Sequence, residues 1–252
     1  LLPLALFRDA RFSVTNFASF VLGFSTYASL FFFSLFLQQV QGWSASETGW
    51  RLVPQFVATG LVASQFGRLA RRFEVHTLMV AGYGLIGVAL LLLTLFSADT
   101  PYLPLALLFV ALGAGAGLAV PATSTAVMAS VPAQRSGMAS ATMNALRQGG
   151  MLIGIALLGT LMRTRATALV AESLARAGVP DAPQAAVAAV SRHDLGALAA
   201  LDAGMAQRLL SDALAGGFHA AMACAGVAGL LAGGLLLRDR PRAAALAAAT
   251  RA

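Results

Sequence analysis

The residues most able to bind or move a charged group are four polar side chains in one apolar stretch. Ser140, Asn144, Arg147 and Gln148 recur at i, i+4, i+7 and i+8. In an α-helix this spacing places all four on one face. A guanidinium in the middle of an apolar helix costs about 2.5–3.5 kcal/mol on membrane-insertion scales, so it must face a partner or a water-filled cavity. Two interpretations stay open: Arg147 joins neighbouring helices through backbone carbonyls, or it lines a cavity and tunes a protonatable acid elsewhere.

Weaker polar patterns occur in two earlier apolar stretches. Asn16 begins one polar stripe, and Gln38 and Gln39 lie at the end of the same stretch. Gln55 and Thr59 form a similar pair in the next stretch. Such groups often make hydrogen bonds between helices in a membrane, and we also consider them as ligand contacts.

A pair of opposite charges lies at the start of the second apolar stretch. Glu47 and Arg51 are four residues apart, in the order that favours an ion pair on a helix. We interpret them as a helix-end pair near the outer membrane surface. This interpretation gives them no part in chemistry.

The usual signatures of catalysis are absent from the sequence. The three His residues are scattered, no HExxH motif occurs and Cys224 is the only cysteine, so we expect neither a metal site nor an intrachain disulfide. No acid lies within the long apolar stretches, which excludes paired-carboxylate chemistry there. No nucleophile elbow or Walker loop occurs. We therefore expect that the chain is not an enzyme and binds no cofactor.

Composition places the polar residues inside a membrane. The chain is 58% hydrophobic and 11% charged, whereas about 25% of residues are charged in soluble domains. A spanning helix needs about 20 mostly apolar residues. The sequence therefore predicts an all-α integral membrane protein, a bundle of six transmembrane helices. The predicted spans are residues 13–39, 47–67, 75–97, 103–130, 137–162 and 214–237.

The distribution of arginine predicts the orientation of these spans. Arginine precedes the first span and follows the second, fourth and sixth, whereas the short loops 40–46 and 97–102 contain none. Both ends of the segment are therefore expected in the cytoplasm, with residues 163–213 as an outer loop and 238–252 as a cytoplasmic tail. The net charge of +7 suits anchoring to an anionic leaflet better than binding of nucleic acid. Because the chain opens with Leu1, we expect a part of a longer protein.

Small residues and a proline recur where two of the spans would pack closely. They are Gly113, Gly115, Gly117 and Pro121 in the fourth predicted span and Gly150 and Gly154 in the fifth. Such spacing lets helix backbones approach each other in lipid. Two interpretations stay open: ordinary close packing, or a helix pair that flexes during a conformational cycle.

Several stretches of the sequence, taken together, resemble those of a known protein family. They are similar to the C-terminal half of the fourteen-helix drug:proton antiporters of the EmrB/QacA type, within the major facilitator superfamily. The similar stretches are residues 37–42, 47–49, 53–54, 113–121, 135–137, 144–150 and 159–160. One departure is residues 67–74, which lack the Asp and the second Gly of the superfamily's loop motif G-x-x-x-D-R-x-G-R-R. That departure puts a gating salt bridge at this loop in doubt.

The resemblance implies one half of a proton-coupled exporter of amphiphilic drugs or toxic small molecules. Inward- and outward-facing states would alternate around a cavity between two six-helix bundles. The implied partners are the small-molecule substrate, the N-terminal half of the same transporter and the bilayer of the inner (plasma) membrane. A periplasmic adaptor and an outer-membrane channel stay open as further partners. In this family the proton-carrying acids lie chiefly in the N-terminal half, in agreement with spans that hold no acid here.

A function of a different class is the alternative. The six helices would then form a membrane scaffold or sensor that pairs with a partner and transports nothing. The presence of further spans with buried acids in the same protein would favour the transporter over the scaffold or sensor.

Overall fold

All elements in the described part of the chain are helical. The structure is a computed structural model that describes residues 7–192, 195–198 and 201–249. We number the main helices in chain order, treating the continuous first helix as one element. They are α1 Ala10–Val40, α2 Ala45–Leu69, α3 Val75–Leu92, α4 Tyr102–Ala129, α5 Ser136–Arg176, α6 Ala182–Arg192 and α7 Ala203–Ala249.

Five of these helices, α1, α3, α4, α5 and α7, are long and apolar enough to cross a membrane. The helix α2 has 25 residues and so a length of about 37 Å, which suffices for a span. Its apolar character is weaker because Glu47, Arg51, Gln55 and Arg68 interrupt it. The structure thus has the helices of a multi-pass membrane protein, and the predicted count of six spans is not confirmed.

The last two long helices extend beyond the predicted spans. Residues 163–176, predicted as part of an outer loop, continue α5. The helix α7 includes residues 203–213 of the same predicted loop and 238–249 of the predicted tail. The physical reason is the Ala-rich sequence, which favours helix whether or not it is apolar enough for lipid. Residues 193, 194, 199, 200 and 250–252 of the predicted loop and tail lie outside the described residues.

Local sequence signals explain how the first two helices begin. The Asp9 carboxylate accepts hydrogen bonds from the backbone N–H groups of Arg11 and Phe12, at 2.8 and 3.1 Å. At α2, Ser44 and Glu47 form a capping box in which each side chain binds the other residue's backbone N–H. Both arrangements satisfy N–H groups that have no partner within the helix.

The helix α1 is not regular throughout. It widens into π-helical turns at Gly23–Tyr27 and Phe36–Val40. Each π turn changes which side chains face inwards, and such turns are frequent at functional sites. The first one lies next to the polar part of α5.

The long helices pack in the order α2, α4, α3, α7, α5 and α1, and α1 closes the bundle against α7 and α4. Aromatic rings fill the centre between α1, α4 and α7. Phe33 lies 5.1 Å from Phe109, and Phe36 stacks on Phe218 at 4.5 Å between ring centroids. Because lipid removes the hydrophobic drive between helices, this dense packing contributes much of the attraction among them.

Glycines on α4 set its distance from two neighbours. A Cβ at Gly113 would overlap the carbonyl oxygen of Gln55 on α2, and one at Gly117 would lie 2.8 Å from the Thr59 carbonyl oxygen. A Cβ at Gly115 would lie 2.8 Å from the Ile86 side chain on α3. The alternating glycines therefore serve opposite sides of α4, and backbones meet on both. Pro121 lies within α4, which stays continuous to Ala129.

The extension of α5 beyond residue 162 carries its own small packing layer. Ala166, Val170 and Leu174 of α5 are fully buried, and so are Ala186 and Ala189 of α6. The short helix α6 thus lies on the C-terminal end of α5 through small side chains. This layer positions α6 above the end of α1.

Candidate functional site

The polar face of α5 lies largely outside the packed interior of the bundle. Asn144 and Gln148 are exposed, while Ser140 and Arg147 are half-buried. Neither Asn144 nor Gln148 hydrogen-bonds through its side chain to another residue that the structure describes. A helix that passes through a membrane does not present amides to lipid without compensation, because each unsatisfied polar group there costs several kcal/mol. This face must therefore meet water or another polar surface.

Arg147 contacts α1 through uncharged groups only. Its Nε donates to the Ser19 hydroxyl at 3.3 Å, and one terminal nitrogen lies 3.7 Å from the Met143 sulfur. Ser19 in turn donates to the Met143 carbonyl oxygen at 3.2 Å. The ion pair between Arg176 and Glu172 lies far along α5. The guanidinium of Arg147 forms no ion pair with a described residue and keeps most of its five donors for other groups.

Glycines bring the backbones of α1 and α5 together at the level of Arg147. A Cβ at Gly23 would overlap the Arg147 carbonyl oxygen, and a Cβ at Gly150 would overlap that of Phe20. A Cβ at Gly154 would lie 2.8 Å from the Phe24 carbonyl oxygen. The position of the Arg147 backbone, from which its side chain extends, is thus set by direct backbone contact between the two helices.

The polar residues predicted on α1 lie at its two ends. Asn16 is fully buried and donates to the Phe12 carbonyl oxygen at 2.8 Å within its own helix, and its Oδ1 has no hydrogen-bond partner in the described structure. Gln38 donates to the Ser34 hydroxyl at 2.7 Å, and Gln39 is exposed. Gln38 and Gln39 lie on the order of 20 Å along the helix from the level of Arg147. They do not belong to the same polar cluster.

Gln55 lies on α2 in the contact with α4, away from Arg147. Its side chain is 5% exposed, and its Oε1 has no hydrogen-bond partner among the residues described. Its carbonyl oxygen lies against Gly113 and also accepts from the Thr59 hydroxyl at 2.9 Å. The predicted residues therefore occupy four places: the α5 face with Ser19, the N-terminal part of α1 with Asn16, the C-terminal end of α1, and the α2–α4 contact.

Two features of this region were missed by sequence reasoning. Tyr83 of α3 and Thr123 of α4 are fully buried with their hydroxyls 3.3 Å apart. The signal for this pair is weak, since it consists of one hydroxyl in each of two apolar helices. The second feature is a groove of about 390 Å³ between α1, α5 and α6, with Leu214 of α7 also in its lining. No local pattern predicts a groove formed by four separate helices.

At the N-terminal end of α2, the contacts differ from the predicted ion pair between Glu47 and Arg51. Glu47 accepts from the backbone N–H and the hydroxyl of Ser44, at 3.0 and 2.7 Å, as part of the helix cap. Arg51 instead lies over the rings of Trp43 and Tyr102, 3.5 and 4.5 Å from their centroids. The capping residue competes for the carboxylate, and the aromatic rings offer the guanidinium a favourable face.

Comparison of the chain with known protein families identifies a superfamily of transporters. The model of the Major Facilitator Superfamily matches residues 15–171, which include α2, α3, α4 and the polar face of α5. The match covers more than half of the chain.

Individual relatives carry names of resistance proteins. The methylenomycin A resistance protein of Bacillus subtilis is 36% identical over 66% of this chain and 36% of its own length. The multidrug resistance protein Stp of Mycobacterium tuberculosis is 35% identical over 73% of this chain and 34% of its own length. The tetracenomycin C resistance and export protein of Streptomyces glaucescens is 29% identical over 95% of this chain and 46% of its own length.

The chain thus spans between a third and a half of the length of these relatives. Its apolar helices, its glycine-mediated helix contacts and the family match agree with one another. The chain belongs to the major facilitator superfamily.

Proposed function

We propose that this chain is the C-terminal six-helix half of a proton-coupled secondary transporter that exports amphiphilic drugs or toxic small molecules by alternating access. In this proposal it belongs to the fourteen-helix drug:proton antiporters, and α2 also crosses the membrane, which brings the five candidate spans to six. The protein lies in the inner membrane with both ends of this segment in the cytoplasm. The proton gradient supplies the driving force.

The observation that carries the proposal is the exposed polar face of α5. Ser140, Asn144, Arg147 and Gln148 all lie within the predicted fifth span, with Arg147 and Gln148 near its middle, and the charge of Arg147 has no carboxylate partner in the described structure. A polar face of this kind is stable in a membrane when it lines a water-filled cavity or meets a second protein surface. A cavity between two bundles provides both.

The names and lengths of the relatives support the same conclusion. They are resistance and export proteins, and each is at least about twice as long as its matched part. A second bundle in the same protein would complete the cavity wall opposite α5 and cover the exposed apolar side chains of α2, such as Trp50 and Leu61.

The proton-binding acid is proposed to lie in the other half. All ten acids of this chain lie at the ends of the predicted spans or outside them. Arg147 would act across the cavity, where its positive charge lowers the proton affinity of a facing carboxylate. It is therefore proposed as a positioning and tuning residue.

The test is export by the protein of native length. Cells expressing it would be loaded with fluorescent amphiphiles of either charge, and efflux would be followed with and without a protonophore. We expect efflux that the protonophore abolishes, and Arg147→Gln should slow it about tenfold, equivalent to about 1.4 kcal/mol in the transport barrier. Arg165→Gln, which removes an exposed charge from the same helix, is the control and should export normally.

Two results would contradict the proposal. Normal export by Arg147→Ala at wild-type expression would remove Arg147 from the transport cycle. Absence of export for every compound, with the protein correctly inserted, would favour the membrane scaffold or sensor.

A further inference from the structure

The groove between α1, α5 and α6 has a mixed lining. Phe31 and Leu35 of α1 and Ile155 of α5 form an apolar wall. Gln39, Arg163 and Ser191 add polar groups from the outer ends of α1, α5 and α6. Its volume of about 390 Å³ is within the range of small-molecule sites.

The one charge in this lining is positive. Arg163 is exposed, and it forms no hydrogen bond or ion pair with another residue in the described ranges. No acid is among the described residues that line the groove. A guanidinium offers planar, bidentate hydrogen bonding to carboxylate and similar anions.

The groove lies on the polar side of α5. Asn144 and Ile155 are eleven residues apart, and so are Gln148 and Gly159, which also lines the groove. Eleven residues make about three turns of α-helix, so the members of each pair share a face. The groove thus continues outward along the side that carries the exposed amides. The part of that side with the exposed amides of Asn144 and Gln148 is too polar to face lipid.

From this geometry we infer that the groove binds an amphiphilic small molecule with an anionic head, which Arg163 holds while the apolar wall takes the hydrophobic body. The inference rests on the proposed function, because the bound molecule is then cargo near the outer end of its path. The cargo class is then that of anionic amphiphiles. Arg147, deeper on the same helix, adds a second positive charge with no acid beside it.

A cation would bind poorly in the same place. It would lose hydration on entering the groove and would meet a positive charge with no compensating carboxylate. An anion loses the same hydration but regains it in charge-assisted hydrogen bonds to the guanidinium.

The test uses two probes that differ only in charge. The protein of native length would be placed in nanodiscs of phosphatidylcholine and titrated with 1-anilinonaphthalene-8-sulfonate and with its uncharged analogue N-phenyl-1-naphthylamine, with empty nanodiscs as the background. Arg163→Gln should weaken binding of the sulfonate about tenfold, equivalent to about 1.4 kcal/mol, and leave the neutral probe unchanged. Arg163→Lys should retain most of the sulfonate affinity.

Two further variants keep the result specific. Arg165→Gln removes an exposed charge that does not line the groove, and it should bind both probes normally. Gly159→Leu fills the groove from α5 beside the Phe32 ring, which would lie 3.6 Å from a Cβ. It should weaken binding of both probes, and it replaces Arg163→Gln as the test if that variant fails to fold.

Three results would overturn the inference. They are unchanged sulfonate binding in Arg163→Gln, an equal loss in Arg165→Gln, and displacement of the sulfonate by phosphatidylglycerol in the nanodisc, which would identify the site as a lipid site. Failure of the proposed function can be distinguished from failure of this inference. A protein that exports nothing but still binds the sulfonate through Arg163 would contradict the proposed export and leave the binding site supported.

Discussion

At the scale of single residues, glycines allow carbonyl groups of one helix to lie on the backbone of the next. Between α1 and α5 these contacts involve Gly23, Gly150 and Gly154, and they fix the place of Arg147. Small residues have this effect only where the neighbour's backbone is the contact. Other glycines of the same helices, such as Gly149, have open space around them.

This difference gives a matched pair of substitutions. Gly150→Ala should lower the thermal unfolding midpoint of the purified protein by about 3–10 °C, because a Cβ would overlap the Phe20 backbone and overpacking of this kind costs about 1–3 kcal/mol. Gly149→Ala should leave the midpoint unchanged. Equal midpoints for the two variants would show that α1 and α5 are farther apart than described.

Residue spacing predicts a shared helix face but not what that face meets. The spacing of Ser140, Asn144, Arg147 and Gln148 predicted one polar face on α5, and the structure places all four along it. The same reasoning grouped Gln55 with the cavity candidates, although it packs against α4. Periodicity within one helix contains no information about which neighbour is present, so burial of Asn16 and Gln55 could not be predicted.

At the scale of elements, the outer layer formed by α5 and α6 depends on small side chains. Ala186 is fully buried on α6, whereas its neighbour Val187 is 52% exposed. A charge at the first position would have to be buried without a partner, and a charge at the second would remain in water.

Ala186→Glu should therefore detach α6 from α5, while Val187→Glu should not. The measurement is limited proteolysis from the outer side of intact spheroplasts that express the protein of native length. Faster cleavage between residues 177 and 202 is expected for Ala186→Glu alone. Equal cleavage of both variants would contradict the described packing of α6.

Hydropathy predicted the cores of the long helices but not where α5 and α7 end. Hydropathy falls after residue 162, and helix-forming residues such as Ala, Leu and Arg continue to Arg176. A membrane span and a helix are thus limited by different properties of the sequence. The π turns of α1 are a second feature without a local signal, because they depend on contacts with other helices.

At the scale of the whole molecule, the path of α2 decides the orientation of every later helix. Its two ends, near Ser46 and Arg72, lie on opposite sides of the membrane if α2 is a span and on the same side if it lies at the surface. Both residues are exposed.

Cysteine labelling distinguishes these paths. In a version of the native-length protein without other cysteines, Ser46→Cys should react with a membrane-impermeant maleimide in intact cells. Arg72→Cys should react only after the membrane is opened, as the arginine distribution predicts. Labelling of both in intact cells would exclude α2 as a span and change the predicted orientation of every later helix.

The contact between α1 and α5 has a mechanical consequence. Carbonyl oxygens of α1 and α5 lie against glycines of the opposite helix. Sliding of one helix along the other would bring those oxygens against larger side chains. The helices α1 and α5 are therefore expected to move together as one rigid body. Helix α5 continues from Arg147 to Arg176, a lever arm of about 44 Å. A tilt of roughly 10° about the level of Arg147 would therefore displace the far end by about 8 Å. A small rearrangement near Arg147 is thus amplified into a large displacement at the C-terminal end of α5, and α6 is carried with it.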